Sequence, residues 1–134
     1  METMILGLAI FFAIHLLPSV PTLRNALFAQ LGEKPYKGIY ALISLAGLAL
    51  VVIGKGEADF VAVWEPLSWS DVVTNVSMIV ALYCLVAMNM QSNMKRFTAH
   101  PMLWGITFWS CGHLFTNGDQ ASIVLFGSFL VYSL

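Results

Sequence analysis

The sequence predicts an all-α fold: a polytopic membrane helix bundle of about five transmembrane helices, with the N-terminus outside. Three observations predict it. Hydrophobic residues fill 59% of the 134 positions and charged residues only 10%, against roughly 25% charged in a soluble domain. The mean hydropathy of +0.82 is spread along the chain without a long polar segment, which predicts a single membrane-embedded domain over residues 1–134. Apolar runs of spanning or nearly spanning length recur between short polar loops, and Lys and Arg gather on alternate loops.

A spanning helix takes ~20 mostly apolar residues. The first run covers about 4–20 and ends at Pro18 and Pro21. It follows Glu2 rather than a basic segment and has no small-residue cleavage site, so it reads as a span and not a signal peptide. The second covers about 36–54, opened by Pro35, and the third 72–90. The fourth, 101–115, starts at Pro101, where proline suits the first helical turn. The fifth covers 121–134, and both of these last runs are short. Asn117-Gly118-Asp119 predicts a turn between them, with Asp119 placed to cap the fifth helix. The stretch 55–71 mixes Glu57, Asp59, Glu65 and Asp71 with Phe60, Trp64 and Trp69, the composition of a loop lying at the membrane surface on aromatic anchors. Arg24, Lys34 and Lys37 lie between the first two spans and Lys95 and Arg96 between the third and fourth, while Lys55 stands alone opposite. Cytoplasmic loops hold such an excess, which places Leu134 inside.

Composition also excludes function classes. A net charge of −1 without clustered basic residues argues against nucleic acid as a partner and leaves the lipid bilayer as the expected one. Cys84 and Cys111 form neither a CxxC pair nor a disulfide framework. No span carries Asp, Glu, Lys or Arg in its interior, which argues against an ion pump or a carboxylate proton relay.

Histidines remain. His15 shares a helical face with Phe11 and Gly7, and His113 shares one with Trp109 and Gly105. Both runs read Gly-x3-aromatic-x3-His: a gap, a flat wall, then a nitrogen ligand. Two such faces suit a planar cofactor held by imidazoles, as in haem ligation; Asn117, one turn beyond His113, joins this cofactor-binding set. Equally, each imidazole can serve as a hydrogen-bonding group between helices. At ~1.5 Å per residue, His15 lies about 7 Å and His113 about 18 Å from the inner ends of their spans, an offset that weighs against a shared iron. His100, just before Pro101, is expected at the interface. Cys111, two residues from His113, points to another face of the helix.

Four stretches now combine: Gly7 to Leu17 with His15, the segment GEKPYKGIYALISLAG from Gly32 to Gly47, His100-Pro101-Met102-Leu103, and HLFTNGDQASIVLFGSF from His113 to Phe129. Together they resemble the NnrU family. The resemblance implies a multi-pass protein of the bacterial inner membrane, linked to nitric oxide and denitrification. That family is similar to the plant 15-cis-zeta-carotene isomerase, a haem b protein that isomerises a polyene double bond using histidine ligands. By position, His15 and His113 match the histidines implicated there as iron ligands, and Cys111 lies one residue out of register from an alternative cysteine ligand. Family chains usually continue past LFGSF through a basic loop and a further hydrophobic segment, so this chain reads either as a natural short form or as a truncated one that lacks a C-terminal span.

Two readings of function follow. In the first, the protein binds haem b through His15 and His113, with a redox or nitric-oxide-linked role or, as an enzyme, haem-dependent cis-trans isomerisation of a hydrophobic small molecule. In the second it is a non-enzymatic accessory or assembly factor for a respiratory membrane complex. The histidines then make interhelical hydrogen bonds worth about 0.6 kcal/mol each, and Ser44, Gly47 and Gly105 mark packing faces.

Overall fold

The N-terminal apolar run folds as α1 (Glu2–Leu16), a helix with no polar face, as expected of one surrounded by protein or lipid. The computed structural model describes residues 1–89 and 98–134 and contains, among them, six α-helices in two compact units, Met1–Asp59 and Phe60–Leu134. Met90, the expected end of the third span, and the basic pair Lys95 and Arg96 lie outside the described residues.

In the first unit, α1 tightens into a 3-10 turn at Leu17–Ser19, where Pro18 has no N–H to continue an α-helical ladder. The following stretch, expected as a loop, is a helix: α2 (Pro21–Leu31). Pro21 occupies its first position, where a missing N–H costs nothing. Gly32 ends it at φ 78°, a left-handed conformation that glycine adopts without a Cβ penalty. The Arg24 guanidinium lies over the Phe28 ring, 5.4 Å from its centroid. Helix α3 (Glu33–Gly56) starts ahead of the expected Tyr36 because Pro35 is accommodated in the first turn. The exposed Lys37–Glu33 pair there, at 2.6 Å, contributes little to stability.

Three glycines let α1 and α3 meet backbone to backbone. A Cβ on Gly7 would lie 2.6 Å from the Val51 nitrogen, and one on Gly47 would lie 2.9 Å from the Phe11 nitrogen. At Gly54 a Cβ would overlap the Met4 backbone. Met4 and Gly7, both buried and one turn apart on α1, face Gly47, Val51 and Gly54 on α3. The outer face of α3 carries Leu42, Leu45 and Val52, at least 64% exposed, a surface that suits hydrocarbon rather than water.

In the second unit, residues 60–69 lead into α4 (Ser70–Asn89), followed by α5 (Pro101–Thr116) and α6 (Gln120–Ser133). Gly105 and Gly112 admit α4: a Cβ on the first would lie 3.1 Å from the Ala81 carbonyl oxygen, and one on the second 3.0 Å from the Ser77 Cβ. Thr74 Oγ1 donates to the Gly112 carbonyl at 2.7 Å. Thr107 and Ser133 hydroxyls join α5 to α6 at 2.8 Å. The 60–69 segment is tied by its backbone to the α5–α6 connection: the Val63 nitrogen donates to Gly118 O at 2.7 Å and the Gln120 nitrogen to Val61 O at 2.9 Å.

Asp119 caps α6, as its position predicts. Its Oδ2 accepts from the Ser122 nitrogen at 3.0 Å and its Oδ1 from the Ser122 hydroxyl at 2.6 Å. The cap is 5% exposed, so Asp119→Ala is expected to cost about 1–2 kcal/mol, with Asp119→Ser recovering most of it. Thermal unfolding of the detergent-purified variants measures both.

Among the described residues, three segments are long and apolar enough to cross a membrane: Glu2–Ser19, Glu33–Gly56 and Ser70–Met88. The protein is accordingly an integral membrane protein of all-α fold. Helices α5 and α6, with 16 and 14 residues, reach ~24 and ~21 Å against a hydrocarbon core of ~30 Å.

Candidate functional site

His15 is placed by α1 one turn after Phe11, and the two rings stack with centroids 4.1 Å apart and planes at 26°. The His15 Nδ1 lies 2.7 Å from the Phe11 carbonyl oxygen. A carbonyl only accepts, so Nδ1 carries the proton and donates it. That bond fixes the tautomer whose lone pair sits on Nε2, the arrangement that orients a histidine for metal ligation. Tyr40 of α3 meets the His15 ring edge-on at 5.5 Å. Beyond it Tyr36 lies 6.4 Å away and Phe28 of α2 lies 4.4 Å from Tyr36. Helical spacing pairs Phe11 with His15 but does not reveal this aromatic surround, in which Tyr36 and Tyr40 come from α3 and Phe28 from the unexpected helix α2.

The same face carries a correction. Gly7, read as a gap beside the ligand, is filled by the α3 backbone. Gly105 on the other histidine's face is likewise filled by α4, through Ala81 and Leu85. Both glycines serve close helix packing, the role that small residues most often have in membrane bundles.

His113, in the second unit, stands on α5 with Trp109 and Asn117 one turn to either side. Trp109, expected as a flat wall, meets the His113 ring edge-on, 5.4 Å away at 70°, because its own ring is packed against Phe126 and Phe129 of α6. Phe126 supplies the flat wall instead, 4.4 Å from His113 with the planes within 5°. The Asn117 amide nitrogen donates to the His113 carbonyl oxygen at 2.8 Å, which anchors the amide. The same nitrogen lies 3.4 Å from His113 Nδ1. An amide NH2 only donates, so Nδ1 accepts and the neutral ring carries its proton on Nε2. The two histidines are therefore held in opposite tautomers.

Other expectations fall into place individually. Cys111 lines a cavity with Leu114 and Phe115, on another side of α5 from the His113–Phe126 stack, as helical spacing predicts. His100 is exposed and caps α5, its carbonyl accepting from the Leu103 nitrogen at 3.1 Å. Among the described residues no three of His, Cys, Asp and Glu converge, so the usual zinc constellation of three or four side chains is not assembled there. A haem needs only axial ligands from the protein, and the tautomer at His15 fits that requirement. At His113 the fit requires Asn117 to release Nδ1.

The chain matches the NnrU family, described as NnrU protein, over residues 3–134. No curated protein and no solved structure matches it.

Proposed function

This chain belongs to the NnrU family, and from that premise we propose that it is a haem-b-binding protein of the bacterial inner membrane, in which His15 would hold the haem. The observation that carries the reading is the 2.7 Å bond from His15 Nδ1 to the Phe11 carbonyl. It holds the proton on Nδ1 and so places the lone pair on Nε2, and stacking on Phe11 restricts the ring further. A bound haem would supply a one-electron iron centre of the kind used in redox and nitric-oxide chemistry or in double-bond isomerisation. The protein's own part is to orient the imidazole, to surround it with Tyr40 and Phe11, and to keep water away by the apolar body of α1. His113, with its proton on Nε2, is set to donate a hydrogen bond.

The test is the visible spectrum of the detergent-purified chain from haem-replete cells, air-oxidised and then reduced with dithionite. Wild type is expected to show a Soret band with sharpened α and β bands on reduction. His15→Gly is expected to lose them and to regain them with added imidazole, while His113→Ala keeps the haem. Loss of haem in both variants would restore the two-histidine ligation that the sequence pattern suggests. A featureless wild-type spectrum, with a respiratory oxidoreductase co-purifying, would replace the haem reading by that of an accessory factor.

A further inference from the structure

A cavity of about 520 Å³ opens in the second unit where the 64–70 segment passes α5 and α6, lined by Trp64, Trp69, Cys111, Leu114, Phe115 and Leu130. It lies within the size range of small-molecule sites, roughly 300–1,000 Å³. Leu130 is ten residues beyond Gln120, ~15 Å along the axis of α6, so the cavity reaches from the loop well down the helix. Its lining is almost wholly apolar. The tilted rings of Trp69 and Phe115, 6.1 Å apart at 49°, form part of one wall.

Charge narrows the occupant. No Lys or Arg lines the cavity, and Glu65 stands among its lining residues. A fatty acid carboxylate or a phospholipid phosphate would meet like charge and no counter-ion. The donors carried by its lining residues include the indole N–H groups of Trp64 and Trp69 and the thiol of Cys111. An indole N–H can donate but not accept. The complementary ligand is therefore neutral, flat enough for aromatic walls, equipped with a carbonyl-type acceptor, and attached to an apolar tail.

We propose that this cavity binds a membrane-dissolved quinone. Its ring oxygen accepts from an indole N–H at the loop end, and its tail runs along Leu114 and Leu130. The site is independent of the haem reading, since none of its residues belongs to either histidine face, and its test does not use the haem spectrum.

The experiment follows alkylation of Cys111 by N-ethylmaleimide in the 134-residue chain in detergent, with Cys84, 2% exposed, as the unreactive internal control. The probe is decylubiquinone, whose fully substituted ring leaves no position for thiol addition, and oleate is the competing class. Saturable protection of Cys111 by decylubiquinone, without protection by oleate, is expected. Trp64→Phe and Trp69→Phe keep an aromatic face and remove one donor each. At least one should raise the apparent Kd roughly five- to ten-fold, the value of one hydrogen bond. Leu114→Trp, which fills the cavity, should abolish protection; if that variant fails to fold, the two Trp→Phe variants decide alone. Equal protection by oleate, no protection by the quinone, or an unchanged Kd in both Trp→Phe variants would each overturn the proposal.

Discussion

Gly54→Val is expected to unfold the first unit. The Met4 nitrogen and Cα occupy the space that a Cβ at residue 54 would need, and the Thr3 carbonyl carbon lies 2.8 Å from it. These are backbone atoms of a neighbouring helix, so no side-chain rotation relieves the overlap. The α1–α3 seam must open at that end, and Met4, which is fully buried, loses its packing. Overpacking of a core side chain costs about 1–3 kcal/mol; displacing one helix from another adds the dispersion contacts of the whole seam, where Gly7 and Gly47 make the same close approach. A loss of at least about 3 kcal/mol follows. Gly38→Ala is the control, because a Cβ there meets nothing within 4 Å. It should be neutral or stabilise α3 by roughly 0.5–1 kcal/mol, the helix-propensity difference. Unfolding of both variants by increasing SDS in mixed micelles gives the comparison. If Gly54→Val unfolds at the same SDS fraction as wild type, the two backbones are not in contact at this point.

That seam also shows what a sequence can and cannot reveal. Helix positions were legible wherever they depend on composition and period: the apolar runs became α1, α3, α4, α5 and α6, and the four-residue spacing placed Phe11 against His15. A glycine, however, declares only that a side chain is missing. What approaches it is decided by packing: Gly7 reads as a slot for a cofactor and Gly105 as either a slot or a packing face, and both are the contact points of α3 and α4. Helix α2 was hidden because Pro18, Pro21 and Pro35 with scattered polar residues resemble loop punctuation, whereas Pro21 starts a helix and Gly32 ends it. Phe126 over His113 depends on how α5 and α6 pack, which no local pattern encodes. The quinone cavity arises from a loop folding across two helices, so its residues are spread from Trp64 to Leu130 without a shared spacing.

Gly118→Val is expected to detach the 61–64 segment from the α5–α6 connection and to empty the cavity behind it. Asn-Gly turns commonly place glycine at positive φ, yet among the described residues only Gly32 has positive φ. Gly118 is required for space: a Cβ there would overlap the Trp64 carbonyl oxygen. The approach is enforced by hydrogen bonds on both sides. Gly118 O accepts from the Val63 and Trp64 nitrogens at 2.7 and 3.2 Å, and the Gln120 nitrogen reaches Val61 O at 2.9 Å. A valine side chain cannot fit without parting these strands of backbone, and the donors lose their partners together. At about 1 kcal/mol net for each bond the cost is roughly 2–3 kcal/mol. The loss is local, because the Thr74–Gly112 bond between α4 and α5 lies elsewhere. Hydrogen exchange separates these effects: the Val63 and Gln120 amides should exchange much faster in the variant, while amides in the α4–α5 pair stay protected. Trp64 and Trp69 ride on the same segment, so decylubiquinone should no longer shield Cys111. Unchanged exchange at Val63 would mean that the segment is held by its aromatic rings rather than by its backbone. Trp64→Ala should then release it where Gly118→Val does not.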